Sequence, residues 1–247
     1  MVAGYFLWAY GSPIVALVLL ANASRRGLRP VSRVSSAILA LVILLLWLPF
    51  VLPEIRSREL RRSWDGLWAA AQRHDDAAVE AMLKRDTSLS NDTTSLMSCG
   101  VQNGSVLVVS WALDHGAKIN APIPPAGWSP LLQSLDAPAV THLLLERGAD
   151  PDRGSVDWTP LSKAVHKGAA AIVEDLLAHH AHIDLLPSFA ENSALHVAAK
   201  DGNRAMCELL LRSGANPSLP NKKHLTPADL AQGSGHSELA AWLRQQH

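Results

Sequence analysis

The side chains that could do chemistry gather at a few places in the 247 residues. His179-His180-Ala181-His182-Ile183-Asp184 sets three imidazoles and a carboxylate within one short run, the one cluster that hints at a metal ion. A metal needs ligands on a fixed backbone, each held by outer partners. This run would straddle a helix end and a turn, so no metal site is expected. Gly233-Ser234-Gly235-His236 invites a serine-nucleophile reading, but that chemistry needs a strand-to-helix elbow, and no strand pattern precedes it. Cys99 and Cys207 read as small buried residues. Asn91-Asp92-Thr93 and Asn103-Gly104-Ser105 fit the glycosylation pattern, which means little if the source is bacterial. No phosphate-cradling glycine loop and no carboxylate pair in an apolar setting is present. Twenty-two basic residues balance 22 acidic ones, which gives no electrostatic case for nucleic acid. No enzyme, cofactor, metal or small-molecule substrate is therefore expected, and the class that remains is binding.

A repeat positions these residues. The stretch Asn192-Ser193-Ala194-Leu195-His196-Val197-Ala198-Ala199-Lys200-Asp201-Gly202, closed by Leu209-Leu210-Leu211-Arg212-Ser213-Gly214-Ala215-Asn216, recurs in outline about every 33 residues, a period of stacked helical repeats. Thr159-Pro160-Leu161, Thr226-Pro227 and Ser129-Pro130-Leu131 mark one end of the unit. Gly116-Ala117, Gly148-Ala149, His180-Ala181 and Gly214-Ala215 mark the other. Thr159 and Thr226 suit helix N-caps, with proline at the first helical position, where no backbone donor is lost. Leu161, Ala164 and Val165 share one helical face, as do Leu195, Ala198 and Ala199. Gly168 and Gly202 end a first helix; Gly148 and Gly214 end a second. His180 fills one such glycine position, so an altered helix end is expected there.

The pattern resembles the ankyrin repeat over roughly Trp64 to His247. The resemblance implies an all-α solenoid of about six helix-turn-helix copies, near 64–92, 93–121, 127–152, 158–184, 192–218 and 225–247. The first two copies are degenerate, as terminal repeats often are. His196 takes the place of the histidine in the family's Thr-Pro-Leu-His motif, which implies a structural hydrogen bond. Gly235-His236 matches the family's inter-helix Gly-His. Cys99 and Cys207 would lie three repeats apart, far beyond disulfide reach.

Residues 1–53 have a different character. Ala37–Leu52 is an uncharged apolar run that, with Val34-Ser35-Ser36, reaches about 19 residues, enough to cross a bilayer. Val2–Ala21 is a second candidate, for which a cleaved signal ending near Ala21-Asn22-Ala23 is the rival. A transmembrane hairpin is expected, with spans at 1–21 and 34–53, an arginine-rich loop at 22–33 and a linker at 54–63. Arg25, Arg26, Arg29 and Arg33 stand against Arg56, Arg58, Arg61 and Arg62, an even tally near the span ends. Short loops obey the charge rule more strictly, which favours a bacterial inner membrane with the repeats in the periplasm; cytoplasmic repeats are the alternative.

The family binds partners through its hairpin tips and the inner face of its first helices. On this chain that implies Trp128 and Trp158 as paired aromatic anchors just before their caps. Along the same edge come Phe189, Asn192, Lys222, Lys223 and Leu225. Asp136, His166, Lys167, Lys200 and Asp201 lie at the inner helix ends. The function expected is a membrane-tethered protein–protein interaction module, contacting the lipid bilayer through residues 1–53. A protective inner-membrane protein, serving toxin immunity or oxidative-stress defence in the periplasm, is the alternative. A hydrolase or metal enzyme is the remote one.

Overall fold

The computed structural model describes residues 53, 57–124, 126–187 and 191–246. The expected spans and the arginine loop lie outside the described residues, Pro53 excepted. Among the described residues no helix is long and apolar enough to cross a membrane. The repeats fall in one compact unit, Ser63–His247.

The regular elements among the described residues are helices, with a single isolated bridge between Ile123 and Trp128. Residues 57–72 (α1) precede α2 (Asp76–Arg85). A short helix α3 (Thr87–Ser90), absent from the sequence reading, leads to the pair α4 (Thr93–Asn103) and α5 (Val106–Asp114). The third copy holds α6 (Pro130–Gln133), a 3-10 turn at Ser134–Asp136 and α7 (Pro138–Glu146). Then come α8 (Pro160–His166) with α9 (Ala170–Ala178), α10 (Ala194–Lys200) with α11 (Arg204–Arg212), and α12 (Pro227–Gly233) with α13 (Ser237–Leu243). Asp92 and Ser105, inside the two glycosylation-like triplets, serve as the N-caps of α4 and α5.

Local chemistry sets these ends. Thr159 and Thr226 each close a capping box, with Ser162 and Asp229 respectively, and proline follows both. In α7, Gly148 adopts φ +85°, its N–H donates to Leu145 O at 3.0 Å, and Ala149 N–H donates to Leu144 O at 2.9 Å. The same two bonds close α5 at Gly116-Ala117 and α11 at Gly214-Ala215. Glycine is favoured because a Cβ is crowded in the left-handed turn. Alanine follows because that position is buried, as at Ala149 and Ala215.

His180 keeps this closure without glycine: it sits at φ +66° and donates to Leu177 O at 3.1 Å. The fourth copy thus stores local strain of about 1 kcal/mol. His180→Gly is expected to raise stability by up to about 1 kcal/mol, read as a higher urea midpoint at unchanged slope. A lower midpoint would contradict it.

The third copy departs for a different reason. Its first helix meets Ala137-Pro138, with no glycine, and a residue before proline avoids the helical region. Ala137 takes φ −125°, and the chain tightens into the 3-10 turn. Ser134 and Thr141, both wholly buried, bond each other at 3.0 Å across the break.

Stacking supplies the core. Leu131, Leu161 and Leu195 from first helices and Leu144, Leu176 and Leu210 from second helices are all fully buried. Each contributes roughly 1.5–3 kcal/mol by leaving water. Helix α10 packs on α8 at one side and α12 at the other. Cys99 and Cys207 are free and buried, their thiols pushed up by burial to about 11 and about 12, so neither is a nucleophile near neutrality.

Candidate partner-binding surface

Copies two to five are joined in succession by one recurring bond at the base of the hairpin. Asn120 Oδ1 accepts from Asp150 N–H at 2.9 Å, Asp152 Oδ1 from His182 N–H at 2.9 Å, and Asp184 Oδ1 from Asn216 N–H at 3.1 Å. Each acceptor lies four residues after the first residue of the Gly-Ala (or His180-Ala181) step, and each donor two residues after the next. This ladder holds the tips in register, and the sequence reading missed it. Its signal is the recurrence of Asn or Asp at that offset.

The ladder also disperses the histidine cluster. His182 Nδ1 bonds Asp152, Asp184 serves Asn216, and His179 Nδ1 bonds the Asp175 carbonyl at 2.9 Å. Among the described residues no three His, Cys, Asp or Glu side chains are placed to hold a metal ion. Ser234 is the C-cap of α12, and Gly235 turns the chain so that His236 N–H reaches Ala231 O. No strand leads into it, and it has no elbow.

His196 is wholly buried in the fifth repeat. The Leu225 carbonyl can only accept, so Nε2 carries the proton and donates to it at 3.0 Å. Nδ1 is left to accept from Ser193 Oγ at 2.8 Å. The structural hydrogen bond thus crosses to the sixth repeat.

Five of the expected binding residues meet in one hollow. Trp158, His166, Asn192, Lys200 and Asp201 line a cavity of about 300 Å³, and the apolar Val197 lines it with them. Trp158 and His166 come from the fourth repeat, the others from the fifth. His166 Nδ1 stands 2.7 Å from Asp201 Oδ2 and bridges the two. Trp158 is half-buried. Its ring lies 5.2 Å from the His166 ring, and Lys163 Nζ stands 4.6 Å over it. That cation–π contact fixes the indole. Lys163 and Val197 were not anticipated. Their signal was position alone, each within the first helix of its repeat.

The other expected residues sit elsewhere. Lys167 Nζ donates to Asp136 Oδ1 at 2.6 Å, an ion pair tying the fourth repeat to the third. Trp128 is half-buried, its carbonyl accepts from Ile123 N–H at 2.8 Å, and it does not line the Trp158 cavity. Asn192 Oδ1 accepts from Asn221 Nδ2 at 2.8 Å, so part of its capacity is spent inside the stack. Lys222 Nζ reaches Pro187 O, and Lys223 pairs with Glu191 at 3.3 Å. Leu225 keeps an exposed side chain, as do Val156 and Leu185 on the two preceding tips. Phe189 lies outside the described residues. A wider hollow of about 650 Å³, between the first-helix ends of copies two and three, is lined by His74, Gln102, Asn103, Gln133 and Asp136 among others.

Comparison with known proteins agrees with this architecture. The family model for ankyrin repeats (three copies) matches residues 133–221 and 161–247. Human diacylglycerol kinase iota is 38% identical over 85 residues, 34% of this chain and 8% of that protein. Neurogenic locus notch homolog protein 1 of Xenopus tropicalis is 35% identical over 123 residues, 48% of this chain and 5% of its own length. The mouse B-cell lymphoma 3 protein homolog is 37% identical over 92 residues, 36% of this chain and 20% of its own. The likeness thus spans a fifth or less of these relatives. Residues 133–247 of this chain are thus similar to ankyrin repeats.

Proposed function

We propose that this chain is a membrane-tethered interaction module that binds a protein partner in the hollow between its fourth and fifth repeats. The observation that carries this reading is the convergence of Trp158, His166, Lys200 and Asp201 on one cavity. An immobilised aromatic ring rimmed by polar groups is the composition of an interface hot spot. Ankyrin repeats act by presenting such surfaces, without chemistry of their own. The tether rests on the uncharged apolar run Ala37–Leu52 and on its partner Val2–Ala21. A reporter active only outside the cytoplasm, fused after His247, tests the proposed periplasmic side; silence would reverse it.

Binding is tested by substitution. Trp128→Ala together with Trp158→Ala is expected to abolish partner recovery while the unfolding temperature shifts little. Trp158→Ala alone accounts for most of the loss, because Trp128 lies outside the cavity. A loss of about 2 kcal/mol, or roughly 30-fold, is the scale of a hot-spot tryptophan. Undiminished recovery from the double variant would overturn the reading.

A further inference from the structure

Two junctions of the stack hold their histidines in opposite ways. Between repeats three and four, imidazoles face carboxylates. His142 Nδ1 on α7 stands 3.1 Å from Asp175 Oδ2 on α9, and its Nε2 stands 3.3 Å from Glu146 Oε1 on its own helix. His179, whose ring lies edge-on to that of His142 at 6.3 Å, also approaches Asp175, with Nδ1 3.4 Å from Oδ1. At the hairpin base, His182 bonds Asp152 through Nδ1 and again through its backbone N–H, with Asp150 the other charge beside it. Between repeats five and six the arrangement reverses. His196 is buried with both nitrogens satisfied in the neutral form, by Leu225 O and Ser193 Oγ, and neither meets a carboxylate.

We propose that protons act in opposite senses at these two junctions, tightening repeat four on repeat three and loosening repeat six on repeat five. Below the ordinary imidazole value of about 6.5, His142 and His182 carry a charge that each facing carboxylate binds. A protonated His196 would place a cation in the apolar interior and force Ser193 to turn its hydroxyl from donor to acceptor.

The directions of titration agree. Hydrogen bonding to Asp175 and its charge raise the pKa of His142, and those of Asp152 raise that of His182. Their contribution is complete below about 6.5 and fades as pH rises through the elevated folded-state values. Burial lowers the pKa of His196, outweighing the Leu225 carbonyl, Asp184 and the Leu219 carbonyl, which favour the proton. Its contribution is complete above about 6.5 and is lost as pH falls through the depressed folded-state value.

Amide hydrogen exchange of the full chain, read by segment at about pH 5 and about pH 7.5 and corrected for intrinsic rates, tests this. Amides of α12 and α13 are expected to lose protection several-fold at the lower pH, while those of α7 and α9 hold or gain. His196→Gln retains a donor for Leu225 O and cannot titrate, so it should remove most of the acid loss in α12 and α13 and leave the response of α7 and α9. The wild-type contrast decides the matter even if that variant folds poorly. A shared direction of change at both junctions, or an acid loss of the same size in His196→Gln, would overturn the proposal.

Discussion

Leu195→Ala is expected to destabilise the stack by about 2–5 kcal/mol, the range for truncating a buried leucine where the cavity cannot collapse. Leu195 is 0% exposed, on a helix gripped from both sides by α8 and α12. In a linear stack each repeat is stabilised by its neighbours, so a cavity here weakens two interfaces at once. Urea unfolding would show a large fall in midpoint, or a split transition if repeats five and six separate from the rest. Leu225→Ala serves as the control: its side chain is 38% exposed, and a change within about 0.5 kcal/mol is expected. A cost below 1 kcal/mol at Leu195 would mean that the stack relaxes far more readily than its packing implies.

Gly154→Ala should damage binding more than its size suggests. A Cβ at this position would lie 1.8 Å from the Trp158 carbonyl oxygen and 2.9 Å from Thr159 Cα, both backbone atoms that no rotamer change can move aside. The tip must therefore rebuild. Rebuilding breaks the 2.8 Å bond from Ser155 N–H to Trp158 O and releases the indole from its place under Lys163. The local cost is about 1–3 kcal/mol, as for other overpacked sites. Partner affinity is expected to fall by at least tenfold, with the helices themselves intact by circular dichroism. Affinity equal to wild type would show that Trp158 does not act from its present position.

The parts of the fold legible in the sequence were those written in single residue types. Thr159 and Thr226 announce helix starts because a side-chain oxygen must reach the third residue of the helix. Gly148 and Gly214 announce ends because a left-handed residue is needed. The third copy was less legible: its Ser129-Pro130 cap is ordinary, but Pro138 breaks the first helix into a 3-10 turn. Helix α3 escaped notice because four residues are too few to show a period. Asp86 makes it by accepting from Ser88 N–H.

The site divided along similar lines. Family analogy placed residues along one edge, yet which of them met depended on distances between repeats. Trp128 and Trp158 look equivalent one repeat apart. Only Trp158 has His166 and Lys163 beside it and Val197 across from it. The inter-repeat ladder of Asn120, Asp152 and Asp184 was visible as a recurrence but had no meaning until its acceptors were seen to serve the next repeat. The polar groups of the His179–Asp184 run are likewise spent on separate partners: His182 on Asp152 in the repeat before, Asp184 on Asn216 in the repeat after, and His179 on the Asp175 carbonyl of its own helix.

The most direct measurement is photo-crosslinking from inside the cavity. With a photoreactive residue in place of Lys200 in the full chain, irradiation in the source cells is expected to give one discrete protein adduct. That adduct should vanish when Trp158→Ala is added, and none should form from Arg212, on the exposed face of α11. No adduct from position 200, or one indifferent to Trp158→Ala, would contradict the assignment of this hollow as the binding site.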